Sequence, residues 1–311
     1  MPHILVVGSL NADLVVRTPR FPQPGETISG EDLQVIPGGK GANQAVAAAR
    51  HGTRVSMLGR IGKDSFGDFL LDNLKSNHVD FQYVQRDDAS TGTAIIVVDS
   101  NGQNSIVLSA GANGKVSSAD VDNATLSDHE LLLLQLEIPI PTVLFAARRA
   151  HESGLRVILN PAPAKQLPEE LISLTDYLIP NETELSLLSG MTVNDIPSAE
   201  RAAKTLLGRG VKNVIVTLGS KGALIVTDTQ VTHVESFKVN VVDTTAAGDA
   251  FIGGFATKLL ESARLLANLH EQASALQNAV RYGCACGALA TTKFGAQPSL
   301  PTKEEVARFM E

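Results

Sequence analysis

The sequence predicts a three-layer α/β protein, in which helices cover both faces of a mainly parallel central sheet, with a second, small β-sheet added. Short apolar runs alternate with segments of helical composition along most of the chain, and this alternation is typical of a parallel sheet. Of the 311 residues, 43% are hydrophobic and only 4% are aromatic. The chain can therefore bury a substantial core made of Leu, Val, Ile and Ala.

The predicted strands are short apolar runs, as expected for strands that are buried on both faces. They are residues 4–7, 55–58, 131–136, 157–159, 177–179 and 214–218. The helical segments between them are 41–51, 65–77, 141–153 and 198–210, with Gly52, Gly154 and Gly210 where helix ends are expected. A later segment, 259–279, has the Leu/Ala spacing of a core-packing helix. Ligands of such a sheet bind at the carboxyl ends of its strands.

Two segments interrupt the alternation. Residues 13–36 contain prolines and glycines between short alternating runs, and residues 91–110 hold two apolar runs around a Ser-Asn-Gly turn. Asn-Gly between apolar runs is a good hairpin signal. We therefore expect 13–36 and 91–110 to form a small β-sheet, projecting from a main domain of residues 1–12, 37–90 and 111–311.

Composition argues against several functional classes. The net charge is −7 without a Lys/Arg run, so a nucleic-acid-binding surface is not expected. No apolar run reaches membrane-spanning length and no leader precedes the first strand, so we expect a cytoplasmic protein that does not bind membranes. Cys284 and Cys286 lie in an Ala/Gly-rich helical stretch. Their spacing suits neither a disulfide framework nor a metal site, and we expect buried free thiols.

The most informative segment is 243–254, Asp-Thr-Thr-Ala-Ala-Gly-Asp-Ala-Phe-Ile-Gly-Gly. Ala246, Ala247 and Gly248 have little or no side chain, so a ligand can approach their backbone amides at the start of a helix. Asp249 follows in the first helical turn, where a carboxylate is favoured. An anion site beside a carboxylate base is what phosphoryl transfer to a hydroxyl requires. The alternative is an ordinary helix start with an acidic residue.

A second glycine cluster occupies residues 37–46, Pro-Gly-Gly-Lys-Gly-Ala-Asn-Gln-Ala-Val. Gly38, Gly39 and Gly41 permit positive φ and close approach of a ligand, and Lys40 and Asn43 are polar groups beside them. A glycine-rich loop that merely turns the chain is the alternative. Neither a Walker A loop nor a dinucleotide-binding Gly-x-Gly-x-x-Gly after a strand occurs in the sequence.

Together, the two clusters resemble the signatures of the ribokinase family of pfkB-type carbohydrate kinases. Further segments fall in the family's order: Asn-Ala-Asp at 11–13, Asn-Pro-Ala-Pro at 160–163, Asn-Glu-Thr-Glu at 181–184, Thr-Leu-Gly-Ser-Lys-Gly at 217–222 and Gly-Ala-Gln-Pro-Ser at 295–299. The resemblance covers nearly the whole chain. One departure is Ala246, which stands where the C-terminal signature often has glycine.

The resemblance implies a role for each matching position. Asp249 is expected to be the general base, and the amides of Ala246, Ala247 and Gly248 to bind the transferring phosphoryl group. The expected sugar ligands are Asn11, Asp13, Gly38, Gly39, Lys40, Asn43, Glu137 and Asp249. The expected nucleotide ligands are Asn181, Thr217, Gly219, Ser220, Lys221, Gly222 and Gly248. The alternative for 217–222 is a hairpin turn leading into 223–227.

Two cations are implied by the same resemblance. Mg²⁺ is expected to bind with ATP, and Glu184 to reach it through water. K⁺ is expected beside the anion site, held by side-chain and backbone oxygens of Asp243, Thr245, Ala290, Lys293, Gly295 and Ser299.

The implied reaction is the ATP-dependent phosphorylation of D-ribose at its 5-hydroxyl. The small sheet is expected to act as a lid over the sugar and as the surface of a homodimer. Asn11-Ala12-Asp13 and Gln44 favour ribose over deoxyribose, fructose, a keto-deoxy sugar acid or a nucleoside. The alternative of a different class is a non-catalytic sugar-binding regulator, and the presence of Asp249 and both small-residue clusters argues against it.

Overall fold

The computed structural model describes residues 3–263 and 269–311. Its strands are β1 (His3–Val7), β2 (Asn11–Arg17), β3 (Gln34–Gly38), β4 (Arg54–Gly62), β5 (Asp80–Asp87), β6 (Gly92–Val98), β7 (Asn104–Ser109), β8 (Leu131–Leu134), β9 (Arg156–Leu159), β10 (Tyr177–Leu178), β11 (Asn213–Thr217), β12 (Ala223–Thr227) and β13 (Val231–Val234). Its α-helices are α1 (Lys40–Arg50), α2 (Ser65–Ser76), α3 (Ser118–Asp122), α4 (Ile140–Glu152), α5 (Glu169–Ser173), α6 (Glu182–Ser189), α7 (Ile196–Leu207), α8 (Ala247–Ala263), α9 (Leu269–Ala290), α10 (Ala296–Ser299) and α11 (Lys303–Met310).

Within this described part of the chain, the strands form a large and a small sheet. The large sheet has the order β13-β12-β11-β10-β9-β8-β1-β4-β5. Neighbours from β11 to β5 pair in parallel, whereas β12 is antiparallel to both β11 and β13. The small sheet has the order β3-β2-β6-β7. The predicted α/β class, with a mainly parallel sheet and a separate small one, is confirmed.

The two faces of the large sheet are covered by different helices, as β1 illustrates. Its side chains alternate between the faces. Ile4 and Val6 belong to a core cluster that includes residues of α1, α8 and α9. Leu5 and Val7 belong to a second cluster that includes residues of α4 and α7. A strand that buries both faces needs apolar residues at every position, which explains the continuous run that predicted it.

The predicted strands and helices are present, with shifted ends. Strand 131–136 stops at Leu134, because the N–H of Leu136 leaves the ladder and donates to the carbonyl of Ala162 at 2.9 Å. Gly52 and Gly154 follow the ends of α1 and α4 with positive φ, as helix-terminating glycines do. The sequence analysis did not identify β5 or β13.

The small sheet reaches slightly beyond the predicted segment 13–36, because β2 begins at Asn11 and β3 ends at Gly38. The predicted Asn-Gly turn connects β6 to β7, and Gly102 has φ 77° there. The ends of β2 and β3 nearest the large sheet therefore carry the polar and glycine motifs.

Parts of the predicted helix 259–279 lie in α8 and α9, where Leu259, Leu260 and Leu276 pack in the core. Residues 264–268 of that prediction lie outside the described residues. Cys284 and Cys286 are buried free thiols, as predicted. Among the helices that the structure describes, none has the length and apolar character needed to cross a membrane.

Candidate active site

The start of α1 packs directly against the connection between β1 and β2. A Cβ atom on Gly41 would lie 2.6 Å from the backbone nitrogen of Ser9, and one on Gly39 would lie 2.7 Å from that of Asn11. Gly39 also has φ 86°, in the left-handed region that favours glycine. The N–H of Ala42 donates to the carbonyl of Ser9 at 2.9 Å. The glycine cluster thus brings Lys40 and Asn43 close to the start of β2.

Glu137 holds the start of α1 against the β1–β2 connection. It follows β8, at the carboxyl end of the large sheet. Its Oε2 accepts hydrogen bonds from the hydroxyl of Ser9 at 2.5 Å and from the backbone N–H of Lys40 at 3.0 Å. The carboxylate therefore ties α1 to the β1–β2 connection, and it contributes negative charge beside Lys40.

Asp13 is a buried carboxyl group in an acidic environment. Burial, followed by the charges of Glu137 and Asp249, raises its pKa to about 7, against the opposing effect of Lys40. Lys40 is partly buried, and burial alone would lower the pKa of its ammonium group. The neighbouring acids, Asp249 first among them, raise that pKa overall. Asp13, Lys40, Glu137 and Asp249 therefore form one electrostatic cluster around the predicted sugar site.

Asn11 is held by a residue that sequence analysis missed. The side-chain oxygen of Asn11 accepts from Asn113 Nδ2 at 2.7 Å. Asn113 is fully buried and also bonds both backbone groups of Leu10, at 2.9 and 3.0 Å. Because its oxygen is occupied, Asn11 has its Nδ2 donors left for a ligand. Asn113 carries no sequence signal, since it is a single polar residue in a short 3₁₀ helix, Gly111–Lys115, after β7.

Asp249 lies in the first turn of α8 and is 5% exposed. Its Oδ2 accepts from Asn43 Nδ2 at 2.9 Å, and its Oδ1 accepts from Gln44 Nε2 at 2.9 Å. Burial raises the pKa of this carboxyl group, while Lys40 and the two amide donors counteract the rise. The structure thus brings the two glycine-rich motifs into direct contact through Asp249.

The turn before α8 has the form of an anion site. Ala246 has φ 58°, an uncommon value for a residue with a Cβ, which explains why glycine suits this position. Helix α8 begins at Ala247, so the first amides lack acceptors within the helix. The N–H of Ala247 donates weakly to the carbonyl of Thr244, at 3.3 Å. Around Gly248 the space is open, since a Cβ there would meet no atom within 4 Å.

A cavity of about 750 Å³ adjoins this turn and is lined by Ala247 and Gly248. Most of the predicted nucleotide residues also line it, namely Asn181, Thr217, Gly219, Ser220 and Gly222. Lys221 is exposed beside the cavity, and its carbonyl accepts from His233 Nε2 at 2.7 Å. The segment 217–222 is also the turn of the β11–β12 hairpin, so both interpretations of it describe the same loop.

The apolar wall of this cavity was missed by sequence analysis. It is formed by Phe237, Val239, Val241, Phe251, Cys284 and Ala288. These side chains come from the irregular segment after β13 and from α8 and α9. An apolar wall suits the base of a nucleotide, but Val239 and Val241 belong to no recognisable motif.

Asn181 and Glu184 form a reciprocal cap at the start of α6. The N–H of Glu184 donates to Asn181 Oδ1 at 2.8 Å, and the backbone N–H of Asn181 donates to Glu184 Oε2 at 2.9 Å. Burial raises the pKa of Glu184, although the bond from Asn181 and the charge of Lys40 act in the opposite direction. The pair therefore stabilises the start of α6, and the charges of Lys40 and Asp249 also influence the pKa of the Glu184 carboxyl group.

Asp243 joins two segments of the predicted potassium site. Its Oδ1 accepts from the N–H and the hydroxyl of Thr245 at 2.9 and 2.7 Å, and its Oδ2 accepts from the N–H of Gly295 at 2.9 Å. The remaining predicted ligands lie at the end of α9, in the loop after it and in α10: Ala290, Lys293 and Ser299. The structure thus gathers Asp243, Thr245 and Gly295 directly beside the turn that precedes α8.

The comparison with known proteins decides the family. The pfkB family of carbohydrate kinases matches residues 1–303. The chain belongs to this family. A ribokinase of Haemophilus influenzae is 42% identical over 311 residues, which cover 99% of this chain and 98% of that protein. A deoxyribokinase of Salmonella typhimurium is 40% identical over 311 residues, with the same coverage.

A solved structure of this family agrees with the fold over the whole chain. The ribokinase of Arabidopsis thaliana, complexed with ribose and ATP, superposes with a TM-score of 0.89 at 34% identity, covering 100% of this chain and 99% of that one. The resemblance predicted from the two glycine-rich motifs is thereby confirmed. The roles of individual residues stay predictions.

Proposed function

We propose that this protein is a ribokinase, which transfers the γ-phosphoryl group of ATP to the 5-hydroxyl of D-ribose and yields D-ribose 5-phosphate and ADP. Membership in the pfkB family and ribokinase relatives of about the same length support the reaction class. The observation that carries the mechanism is the position of Asp249. It accepts hydrogen bonds from Asn43 and Gln44, lies near the charges of Lys40 and Glu137, and directly follows Ala247 and Gly248, which line the cavity of about 750 Å³.

The chemistry follows from this position. As the O5–P bond forms and the bond from the γ-phosphorus to the bridging oxygen of ADP breaks, Asp249 accepts the proton of the 5-hydroxyl. General-base assistance of this kind is worth about 10²–10⁴-fold in rate. The amides of Ala246, Ala247 and Gly248 stabilise the charge on the transferring phosphoryl oxygens without reorganising. In the complex, we expect the weak bond from Ala247 to Thr244 to yield to the phosphoryl group.

The sugar is held by groups of both signs. Asp13 and Glu137 accept hydrogen bonds, Lys40 donates them, and Asn11 offers its Nδ2 because Asn113 occupies its oxygen. Asn43 Oδ1 is buried and has no donor among the described residues. A hydroxyl of the sugar would satisfy it, and this orphaned acceptor therefore supports the placement of the sugar beside Asp249.

Mg²⁺ fits the donor set only as a companion of ATP. Both oxygens of Glu184 already accept hydrogen bonds from Asn181, so this carboxylate suits a water-mediated contact. Mg²⁺ keeps several waters and binds mainly through phosphates, and within the described residues no cluster of three or more His, Cys, Asp or Glu could hold a metal. When bound with ATP, Mg²⁺ would neutralise phosphate charge.

A monovalent cation also fits the structure, beside Asp243. The carboxylate of Asp243 and the hydroxyl of Thr245 lie 2.7 Å apart there, and oxygen donors of this kind suit a weakly charged, hard cation. We propose that K⁺ binds there, and that its charge would stabilise the turn that carries Ala246. Activity should rise when K⁺ replaces tetramethylammonium, and Asp243→Asn should abolish that rise. Equal activity in the two salts would contradict the proposal.

A coupled assay of ADP release tests the reaction itself. The parent protein should release ADP with ribose, and Asp249→Asn should lose about 10²–10⁴-fold in kcat while binding ATP and ribose within a few-fold of the parent. Asp195→Asn, at the start of α7, replaces another carboxylate of a helix N-terminus and should leave kcat unchanged. Turnover close to that of the parent in Asp249→Asn would remove this residue from the role of base.

The same assay identifies the acceptor. Ribose should give the highest kcat/KM in a panel with 2-deoxyribose, fructose, a keto-deoxy sugar acid and a nucleoside. The 2-deoxyribose sample is essential, since a relative named deoxyribokinase is 40% identical across this chain. ADP release with none of these sugars, despite sugar binding, would favour the non-catalytic alternative. Because ATP is the phosphoryl donor, we expect the enzyme to work in the cytoplasm.

We also propose that the small sheet forms a homodimer. Val35, Ile95 and Val107 lie on one face of it, because Leu14 pairs with both Val35 and Ile95, and Ile95 pairs with Val107. They are 41%, 50% and 63% exposed, so they form an apolar row that a partner would cover. Light scattering should give a dimer for the parent and a monomer for Val107→Asp. A monomeric parent would contradict this assembly.

A further inference from the structure

A buried chain of amide groups ends at Asp249. Gln135 Nε2 donates to Gln44 Oε1 at 2.7 Å, and Gln44 Nε2 donates to Asp249 Oδ1 at 2.9 Å. The second proton of Gln44 Nε2 faces Asn160 Oδ1 at 3.3 Å. Gln44 and Gln135 are both 0% exposed. They therefore contact neither solvent nor substrate directly.

The direction of this chain is dictated by chemistry. An ionised carboxylate only accepts hydrogen bonds, so Gln44 must turn its NH₂ group towards Asp249. Its oxygen then needs a donor, and Gln135 must supply its own NH₂ group. A reversed amide in Gln44 would place its oxygen against the oxygens of Asp249 and Asn160. Gln135 thus selects the one orientation of Gln44 that supports the carboxylate.

We propose that Gln44 is a positioning residue for Asp249, which holds Oδ1 so that Oδ2 receives the proton of the substrate, and that Gln135 fixes the orientation of Gln44. This inference rests on the proposed function. Asn43, which donates to Oδ2 at 2.9 Å, belongs to the predicted sugar site. Oδ2 is therefore the oxygen on the side of the sugar, whereas Oδ1 is bound to a side chain that no ligand reaches.

Because Asp249 is buried, the hydrogen bond from Gln44 has a large effect on the ionised form of its carboxyl group. Taking a carboxylate out of water raises its pKa, and the charge of Glu137 adds to this rise for Asp249, whereas Lys40 and the two amide donors oppose it. Asn43 can exchange its bond for one to the sugar. Gln44 is buried away from the sugar, and among the described residues its Nε2 group donates to Asp249 and Asn160 alone. The contribution of Gln44 therefore persists when the sugar is bound, at the stage where the base must be unprotonated so that it can accept the proton of the hydroxyl.

The test replaces Gln44 by a side chain of similar length without a donor. A hydrogen bond to a charged group is worth about 10–100-fold in an equilibrium. Gln44→Met should therefore lower kcat by about 10–100-fold and change the KM for ribose by less than about threefold. The acidic limb of its kcat–pH profile should move upward by about one pH unit or more, because the neutral form of Asp249 gains relative to the ionised form.

Thr257→Val provides the matched control. Thr257 lies on the same helix, α8, and is buried against Thr53, with the two hydroxyl oxygens 3.0 Å apart. Its replacement removes this bond to the connection between α1 and β4, and a contact at 3.4 Å with the carbonyl of Ala48 in α1, without touching Asp249. It should lower thermal stability but leave both kcat and the pH profile as in the parent. A general loosening of the α1–α8 contact would instead affect both variants alike.

Gln135→Met is the second variant. It keeps Gln44 but leaves its oxygen without a donor, so the shift of the acidic limb should have the same sign and a smaller size. This variant also decides the matter if Gln44→Met does not fold. A parental pH profile in a folded Gln44→Met or, failing that variant, in Gln135→Met would overturn the proposal.

A direct titration separates this inference from the proposed function. In protein labelled with ¹³C at the Asp carboxyl carbons, the Asp249 signal is the one lost in Asp249→Asn. Its midpoint should be higher in Gln44→Met than in the parent, whether or not the parent phosphorylates ribose. An unchanged midpoint would overturn the positioning role. If the parent phosphorylated no sugar but the midpoint were still higher in Gln44→Met than in the parent, only the kinase assignment would be overturned.

Discussion

Gly41→Ala is the sharpest test of how the active site is assembled. Alanine in a helix is normally about 1 kcal/mol more favourable than glycine, so the substitution should stabilise α1 if nothing else changed. At this position, however, the added Cβ would lie 2.6 Å from the nitrogen of Ser9 and 2.8 Å from the Cα and carbonyl carbon of Gly8. These are backbone atoms, which cannot rotate away as a side chain would.

Overpacking of a dense site costs about 1–3 kcal/mol, and three backbone contacts of this kind place the cost at the upper end. Subtracting the helical gain leaves a net loss of about 2 kcal/mol in the free energy of unfolding. The midpoint of urea denaturation should fall at an unchanged m-value. The KM for ribose should rise as well, since the displaced segment leads into Asn11.

Gly248→Ala is the control for this substitution. Gly248 also lies in the first turn of a helix, but an added Cβ would meet no atom within 4 Å. Its stability should equal or slightly exceed that of the parent, by up to about 1 kcal/mol. If Gly41→Ala unfolded at the same urea concentration as the parent, the close packing of α1 on the β1–β2 connection would be refuted.

Two further predictions concern pH. The raised pKa of Asp13, about 7 in the free protein, implies that ribose affinity falls as the pH drops below 7, because the proton must leave before the carboxylate can accept hydrogen bonds from the sugar hydroxyls. Affinities measured by calorimetry should show this fall in the parent and should not depend on pH in Asp13→Asn. An affinity of the parent that does not change with pH would contradict the prediction. The second prediction concerns His3, whose imidazole lies 4.0 Å from that of His129, centroid to centroid. Burial, followed by the charge of His129, lowers the pKa of His3 from 6.5 to about 4, so the unfolded chain binds more protons between these values. The stabilising effect is complete above pH 6.5 and is lost as the pH falls towards 4, by about 3 kcal/mol. Urea midpoints of His3→Gln should therefore depend less on pH than those of the parent across this window, and parallel curves would disprove it.

The fold was largely predictable because its signal is repeated. Each central strand is a continuous apolar run, since both of its faces are covered, and each run is followed by a helical segment. The strands that escaped prediction lack this signal. β5 lies at the edge of the large sheet and mixes polar and apolar residues in Asp80–Asp87, and β13 is short and half exposed.

The candidate site was predictable only where the geometry of the site requires particular residue types at neighbouring positions in the sequence. The turn before α8 needs small residues in consecutive positions, and the start of α1 needs glycine wherever another backbone passes close. The residues that orient the site carry no such requirement. Asn113 and Gln135 are single polar residues far apart in sequence, and only the folded chain shows that they are buried and donate hydrogen bonds to Asn11 and Gln44.

The contact between α1 and α8 explains the spacing of the residues within the two motifs. Lys40, Asn43 and Gln44 lie three and four positions apart, so they share one face of α1. Gly253, one turn after Asp249, faces the same helix, and a Cβ on it would lie 2.8 Å from the nitrogen of Ala48. The small residues at this crossing bring the two helices close enough for a carboxylate on one to accept bonds from two amides on the other. Gly253 thus acts at a distance from any ligand. It sets the separation of α1 and α8, and through it the distance between the predicted base and the side chains that orient it.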